Sequence, residues 1–113
     1  MKLVTLKKRI DFVLSNKHGK KTFSKNFILQ EYCKSDISDQ DLRFGFTATK
    51  RIGNAVKRNR AKRRMRALIS SLLKEDNILF KEKYSYVLIA KQSILKASFF
   101  EMHNQLKQCL SKL

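Results

Sequence analysis

The stretch Lys50 to Arg66, KRIGNAVKRNRAKRRMR, carries nine Lys or Arg and no acid among its 17 residues. Cations at this density have one evident chemistry, the neutralisation of a polyanion. Arginine forks grip phosphate oxygens bidentately and stack on bases, whereas lysines act as point charges. A merely solvated helix face mixes signs and gains from oppositely charged i,i+4 pairs. Here no acid falls between Asp41 and Glu75, so repulsion within the run is relieved only by a partner of negative charge. Nucleic acid fits better than a membrane surface, because a membrane-lying helix exposes bulky apolar residues.

Groups that could perform hydrolysis themselves are scattered. The acids Asp11, Glu31, Asp36, Asp39, Asp41, Glu75, Asp76, Glu82 and Glu101 fall mostly in expected turns and helix ends, where capping and solubility account for them. His18 and His103 lie far apart on different expected helices, and His103 reads as a surface residue. A phosphodiesterase built from protein groups needs clustered carboxylates or paired histidines. IGNAVKRN does not fit the phosphate-cradling glycine loop. No catalytic side chain and no metal site on the protein are therefore expected. Cys33 and Cys109 lack metal or redox spacing and read as reduced, partly buried thiols of a cytoplasmic protein. No stretch approaches the 18 apolar residues of a membrane span, and MKLVTLKKRIDF has no apolar signal core.

The elements that must position the cations follow from periodicity. A chain of 113 residues with eight Phe and three Tyr supports one domain, 1–113, with one core. Its formal charge of +17 again asks for an anionic partner. Leu6, Ile10, Val13 and Leu14 recur at helical spacing over about Leu6 to Asn16, and Lys17-His18-Gly19 reads as the helix end. Phe12 lies off that stripe. Two strands follow, Asn26 to Tyr32 and Arg43 to Thr49, with KSDISDQD as the loop between them. The second alternates, with Phe44, Phe46 and Ala48 on one face and Arg43, Gly45, Thr47 and Thr49 on the other. Lys20 to Phe23 is a possible edge strand.

Gly53-Asn54 marks a helix start with Asn54 as N-cap, and the helix runs to about Lys74. At 100° per residue, Ala61, Met65, Leu68, Ile69 and Leu72 share one face. Arg60, Arg63 and Ala67 point away from it, flanked by Lys57 and Arg64 on one side and Asn59 and Arg66 on the other. A third strand spans Tyr84 to Lys91. Ser98 and Glu101 form a capping box for a last helix, whose inner face is Phe99, Met102, Leu106, Cys109, Leu110 and Leu113. The class is α+β, with a β-helix-β unit that would set two strands parallel. Small hydroxyls at Thr47 and Thr49 beside an aromatic at Phe12 suggest a second surface, where single-stranded nucleic acid finds room and a ring to stack on. Core packing of Phe12 is the equal alternative.

These residues resemble a known family. IGNAVKRNRAKRRMR is similar to the signature of the bacterial ribonuclease P protein subunit, whose central element is Arg58-Asn59-Arg60 here. LKKRIDF and KHGK resemble that family's first helix and turn, LRFGFTATKRIGNAVKRNRAKR its strand and signature helix, and YSYVLIAK its last strand. The resemblance implies an α-β-β-β-α-β-α two-layer sandwich with a left-handed βαβ crossover, the fold type of the second domain of a small-subunit ribosomal protein. It implies a protein that joins a catalytic RNA, one to one, in removing the 5′ leader of precursor tRNA. Mg²⁺ would be bound mainly by that RNA. No membrane and no obligate protein partner are implied.

Carried onto this chain, Arg58, Asn59, Arg60, Lys62, Arg63 and Arg66 match the signature and Lys50 and Arg51 the basic pair leading into it; Asn54, Lys57 and Arg64 of the same run complete the RNA-binding candidates. The leader-cleft candidates are Phe12, Thr47, Thr49 and Lys91. Asn16 stands where relatives can carry a second aromatic and Gln30 where a strand tyrosine is common. This departure implies weaker stacking in the cleft, with Tyr32 as a candidate substitute. Two rival readings are a small structural RNA binder, such as a ribosomal protein, and an autonomous nuclease.

Overall fold

The structure, a computed structural model, describes residues 5, 9–33, 42–75, 80 and 84–112. Its elements are α1 (Arg9–His18), β1 (Lys20–Phe23), β2 (Phe27–Cys33), β3 (Arg43–Thr47), α2 (Ala55–Glu75), β4 (Tyr84–Ala90) and α3 (Phe99–Lys112). Short 3-10 turns at Lys50–Ile52 and Gln92–Leu95 enter α2 and leave β4. This is the α-β-β-β-α-β-α order expected. The start of the first helix before Arg9, the β2–β3 loop and Leu113 lie outside the described residues.

The sheet order is β1-β2-β4-β3. β2 pairs antiparallel with β1 and β4, and β3 runs parallel to β4. A parallel pair needs a long crossover, and α2 supplies it. The possible strand at Lys20–Phe23 is real and takes the outer edge, where lysines discourage further pairing.

Alternation sorts each strand into two faces. Phe27, Leu29, Phe44, Tyr86 and Leu88 are fully buried and meet the apolar stripes of α2 and α3. All five expected stripe residues of α2 are buried, with Leu73 added. Phe44, Phe80 and Tyr86 form an aromatic trio with ring centroids 5.1, 5.9 and 5.3 Å apart. Offset and edge contacts of this kind add about 0.5–1.5 kcal/mol per pair beyond burial. Helix α1 packs on the opposite face, against β2 and β4.

Several expectations are corrected. β3 stops at Thr47, because the chain turns at Thr49 into the 3-10 turn and Ile52 is buried there. Phe99 is 43% exposed; as the first residue of α3 it precedes the turn whose Met102 reaches the core. Cys33 is exposed at a strand end, and only Cys109 is buried. Burial pushes the Cys109 thiol pKa up, which keeps it protonated and unreactive. Glu31, within the expected strand Asn26 to Tyr32, is buried. The His103 side chain is only 14% exposed and meets Glu75 Oε2 at 2.9 Å. Half of the expected capping box is seen: the Glu101 N–H donates to Ser98 Oγ at 3.0 Å, while the Glu101 carboxylate accepts from Gln105 Nε2 and lies 3.8 Å from Lys25 Nζ.

Candidate nucleic-acid interface

The basic surface begins at a strained corner. Gly53 has φ +138°, and a Cβ there would sit 2.7 Å from Lys57 Cδ. Glycine is the residue that tolerates this backbone. Asn54 follows as N-cap, its Oδ1 accepting from the Lys57 N–H at 3.0 Å. Such a cap contributes about 1 kcal/mol. The corner thus fixes where α2 starts and which way its faces point.

Along α2, Val56, Asn59, Arg60, Lys62, Arg63 and Arg66 line a groove of about 430 Å³. Five of the predicted cations and amides are therefore neighbours on one surface, with exposed Val56 at its end. The Arg66 guanidinium carbon lies 5.6 Å from the centre of the Phe46 ring, a cation–π contact that holds the side chain against the sheet edge. Lys57 and Arg60 also border a second cavity, of about 570 Å³, with Gln92, Ser93 and Lys96. Arg58 is half-buried on the flank. Arg64 is different: it is half-buried and donates from Nη2 to the Ala97 carbonyl. It ties α2 to the segment before α3 instead of joining the groove.

A separate cavity, of about 330 Å³, lies on the other sheet face. Phe12, Asn16, Gln30, Thr47, Thr49, Val87 and Ile89 line it. The structure thus brings Phe12, Thr47 and Thr49 together, as their sequence pattern suggested. Phe12 is part-exposed at the cavity and is not a residue of the main core. Asn16 and Gln30 also meet here: Gln30 Nε2 donates to Asn16 Oδ1 at 3.4 Å, and Lys21 Nζ donates to the same oxygen at 3.0 Å. This wall of the cavity is amide-lined. Tyr32 lies further along β2, opposite Ser85, and is not among the residues lining this cavity.

Next to it, a cavity of about 820 Å³ is lined by Ile28, Thr49, Lys50, Arg51, Ile52, Ile89, Ala90, Lys91 and Gln92. Thr49 and Ile89 belong to both, so the two form one groove. Lys50 and Arg51, grouped with the helix by sequence, thus stand beside Lys91 on the cleft side. Lys91 Nζ donates to the Ser24 carbonyl at 2.6 Å. Sequence reasoning passed over Val87 and Ile89, although the alternation of YSYVLIAK, with Tyr86 and Leu88 in the core, places both on this face.

The surface is therefore two-sided: a cation-rich groove on α2, and a cleft with one ring, hydroxyls, amides and flanking lysines. Among the described residues no three His, Cys, Asp or Glu stand together to hold a metal, and no helix is long and apolar enough to cross a membrane.

The ribonuclease P family model matches residues 1–113. The ribonuclease P protein component of Syntrophus aciditrophicus is 36% identical over 121 residues, covering 99% of this chain and 93% of the relative. That of Bacillus velezensis is 35% identical, covering 95% and 86%. The RNase P protein of Staphylococcus aureus superposes with a TM-score of 0.75 at 24% identity, covering 98% of this chain and 95% of that one. The RNase P protein from Thermotoga maritima gives 0.75 at 20% identity, with 96% of each chain covered. These two structures carry the same fold. The chain therefore belongs to the ribonuclease P protein family: it is the protein component, partner to an RNA subunit, of the endoribonuclease that processes tRNA 5′ ends.

Proposed function

We propose that the α2 groove docks on the catalytic RNA while the opposite-face cleft holds the single-stranded 5′ leader of precursor tRNA, one protein per RNA. The observation that supports this most is the separation of two unlike grooves, one along α2 and one on the sheet face that carries α1. One is lined by Arg60, Lys62, Arg63 and Arg66, suited to the phosphates of a folded RNA. The other offers Phe12 over a floor of Thr47, Thr49 and Ile89, suited to an unpaired strand. The exposed amide of Asn16 adds a hydrogen-bonding edge at the cleft.

Mg²⁺ belongs, in this reading, mainly to the RNA. No chemical step is assigned to a protein side chain in it. The protein's part is to position: cations lower the repulsion between two RNAs, and the cleft fixes the strand on one side of the scissile bond. The holoenzyme works in the cytoplasm, with no membrane and no obligate protein partner.

The test is cleavage of precursor tRNA by the catalytic RNA at low Mg²⁺, with and without this protein. Strong stimulation is expected. Its absence, or cleavage by the purified protein free of RNA, would overturn the reading.

A further inference from the structure

We propose that Phe23 is a second stacking platform for the leader, at the outer edge of the sheet; this rests on the leader-cleft reading above. The strand register sets Phe23 opposite Ile28, Ile28 opposite Ile89, and Ile89 opposite Thr47. Directly opposed residues share a face, so Thr47, Ile89, Ile28 and Phe23 form one row across all four strands. Three inter-strand steps make this row about 14 Å long. The neighbouring row, Gly45, Val87, Gln30 and Lys21, lies beneath α1, where Asn16 bonds Gln30 and Lys21. The Phe23 row stays open: Ile28 and Ile89 are part-exposed and line the larger cavity, and Phe23 is 64% exposed.

A single exposed phenylalanine is ordinary on a protein surface. This one continues a groove, and the chain just after it is anchored. The turn that follows it is tied by Lys91 Nζ to the Ser24 carbonyl at 2.6 Å and by Ser93 Oγ to the Lys25 carbonyl at 3.0 Å. Asn26 Nδ2 adds a bond to Gln105 Oε1 at 2.8 Å. An exposed ring at the end of a paired strand, beside an anchored turn, costs little backbone ordering entropy when a base lands on it. Charge favours the same occupant. Lys21, Lys50, Arg51 and Lys91 flank the row, and the nearby acid, Glu101, lies beside Lys25. An extended polyanion with aromatic bases matches these features; an apolar partner would leave the lysines unanswered. Phe12 and Phe23 would then hold bases at two points along the strand, with Thr47, Ile89 and Ile28 beneath the span between them.

Holoenzymes reconstituted with wild-type, Phe12→Ala, Phe23→Ala and Phe23→Trp proteins would be titrated with mature tRNA and with precursors of increasing leader length. Phe23→Ala is expected to weaken binding of precursors whose leaders span the row by roughly 5- to 150-fold. Mature tRNA should bind unchanged, Phe23→Trp should retain affinity, and the melting temperature of Phe23→Ala should match wild type because the ring is exposed. The proposal fails if Phe23→Ala equals wild type at every leader length while Phe12→Ala shows a leader-dependent loss. It fails equally if Phe23→Ala weakens mature tRNA as much as precursors. If neither variant shows any leader dependence, the leader-cleft reading falls, and this inference with it.

Discussion

Arg60, Arg63 and Arg64 are three arginines within five residues, yet the fold gives them different work. Arg60 and Arg63 line the open groove, and Arg64 is spent on the Ala97 carbonyl. Replacing Arg60 or Arg63 by Ala should weaken binding to the catalytic RNA and make its salt dependence shallower, by about one unit of slope for each phosphate left without its cation. Arg64→Ala should leave that slope alone and lower stability by about 1.5–3 kcal/mol, the range for a hydrogen bond from a charged donor. Titrations across salt concentrations, paired with denaturant melts, separate the two effects. An unchanged slope for Arg60→Ala would mean that this side chain meets no phosphate. Charge counting alone ranked these arginines together, because a sequence shows that a cation is off the apolar stripe but not which loop comes within its reach.

At the scale of elements, the corner at Gly53-Asn54 and the far end of α2 both bear on how the groove is aimed. Asn54→Ala removes the acceptor for the Lys57 N–H and should cost about 1 kcal/mol in a denaturant melt. Gly53→Ala should cost more, since both φ and the Lys57 side chain resist a Cβ. At the other end, Glu75 accepts from Lys107 Nζ at 2.6 Å and from His103 at 2.9 Å, joining α2 to α3. The Lys107 hydrogen bond is the chief cause of a Glu75 pKa below its ordinary 4.5. A carboxylate with a lowered folded-state pKa adds stability that is fully present above its unfolded value and is lost as pH falls through the folded one. Glu75→Gln should therefore reduce stability at neutral pH and leave it nearly unchanged well below pH 4.5. The effect should be small, because the group is exposed and salt screens it. A wild-type advantage that persisted at low pH would contradict this.

Much of this element plan was legible. Met65, Leu68, Ile69 and Leu72 recur with the helical period, and Phe44 and Phe46 with the strand period, so local repeats sufficed for α2 and β3. The alternation misled at Thr49, where a buried Ile52 pulls the chain into a turn. Phe99 misled because helical phase says nothing about which first-turn residue lies beyond the core. The meeting of Asn16 with Gln30, and the row that includes Phe23, depend on the order β1-β2-β4-β3. Strand order is non-local, and no single stretch encodes it.

The whole molecule carries a formal +17, which favours expansion unless anions screen it. Sulfate should therefore raise the melting temperature more than chloride at equal ionic strength, through exclusion from apolar surface and through binding to the folded state's cation clusters. Equal melting in the two salts would mean that the compact state does not concentrate charge as the two grooves suggest. In the proposed reading the same charge lets one small fold meet two RNA surfaces: α2 carries its cations on one side of the core, and the sheet carries its cleft on the other.

That division of labour is the central claim, and one comparison tests it most directly. The affinity of the catalytic RNA for leader-bearing and mature tRNA would be measured with wild-type protein, with Phe12→Ala, and without protein. The account predicts that wild-type protein raises affinity for the leader-bearing substrate selectively, and that Phe12→Ala gives back about 1–3 kcal/mol of that gain while leaving mature tRNA unaffected. An equal rise for both substrates, or an equal loss in Phe12→Ala, would contradict it.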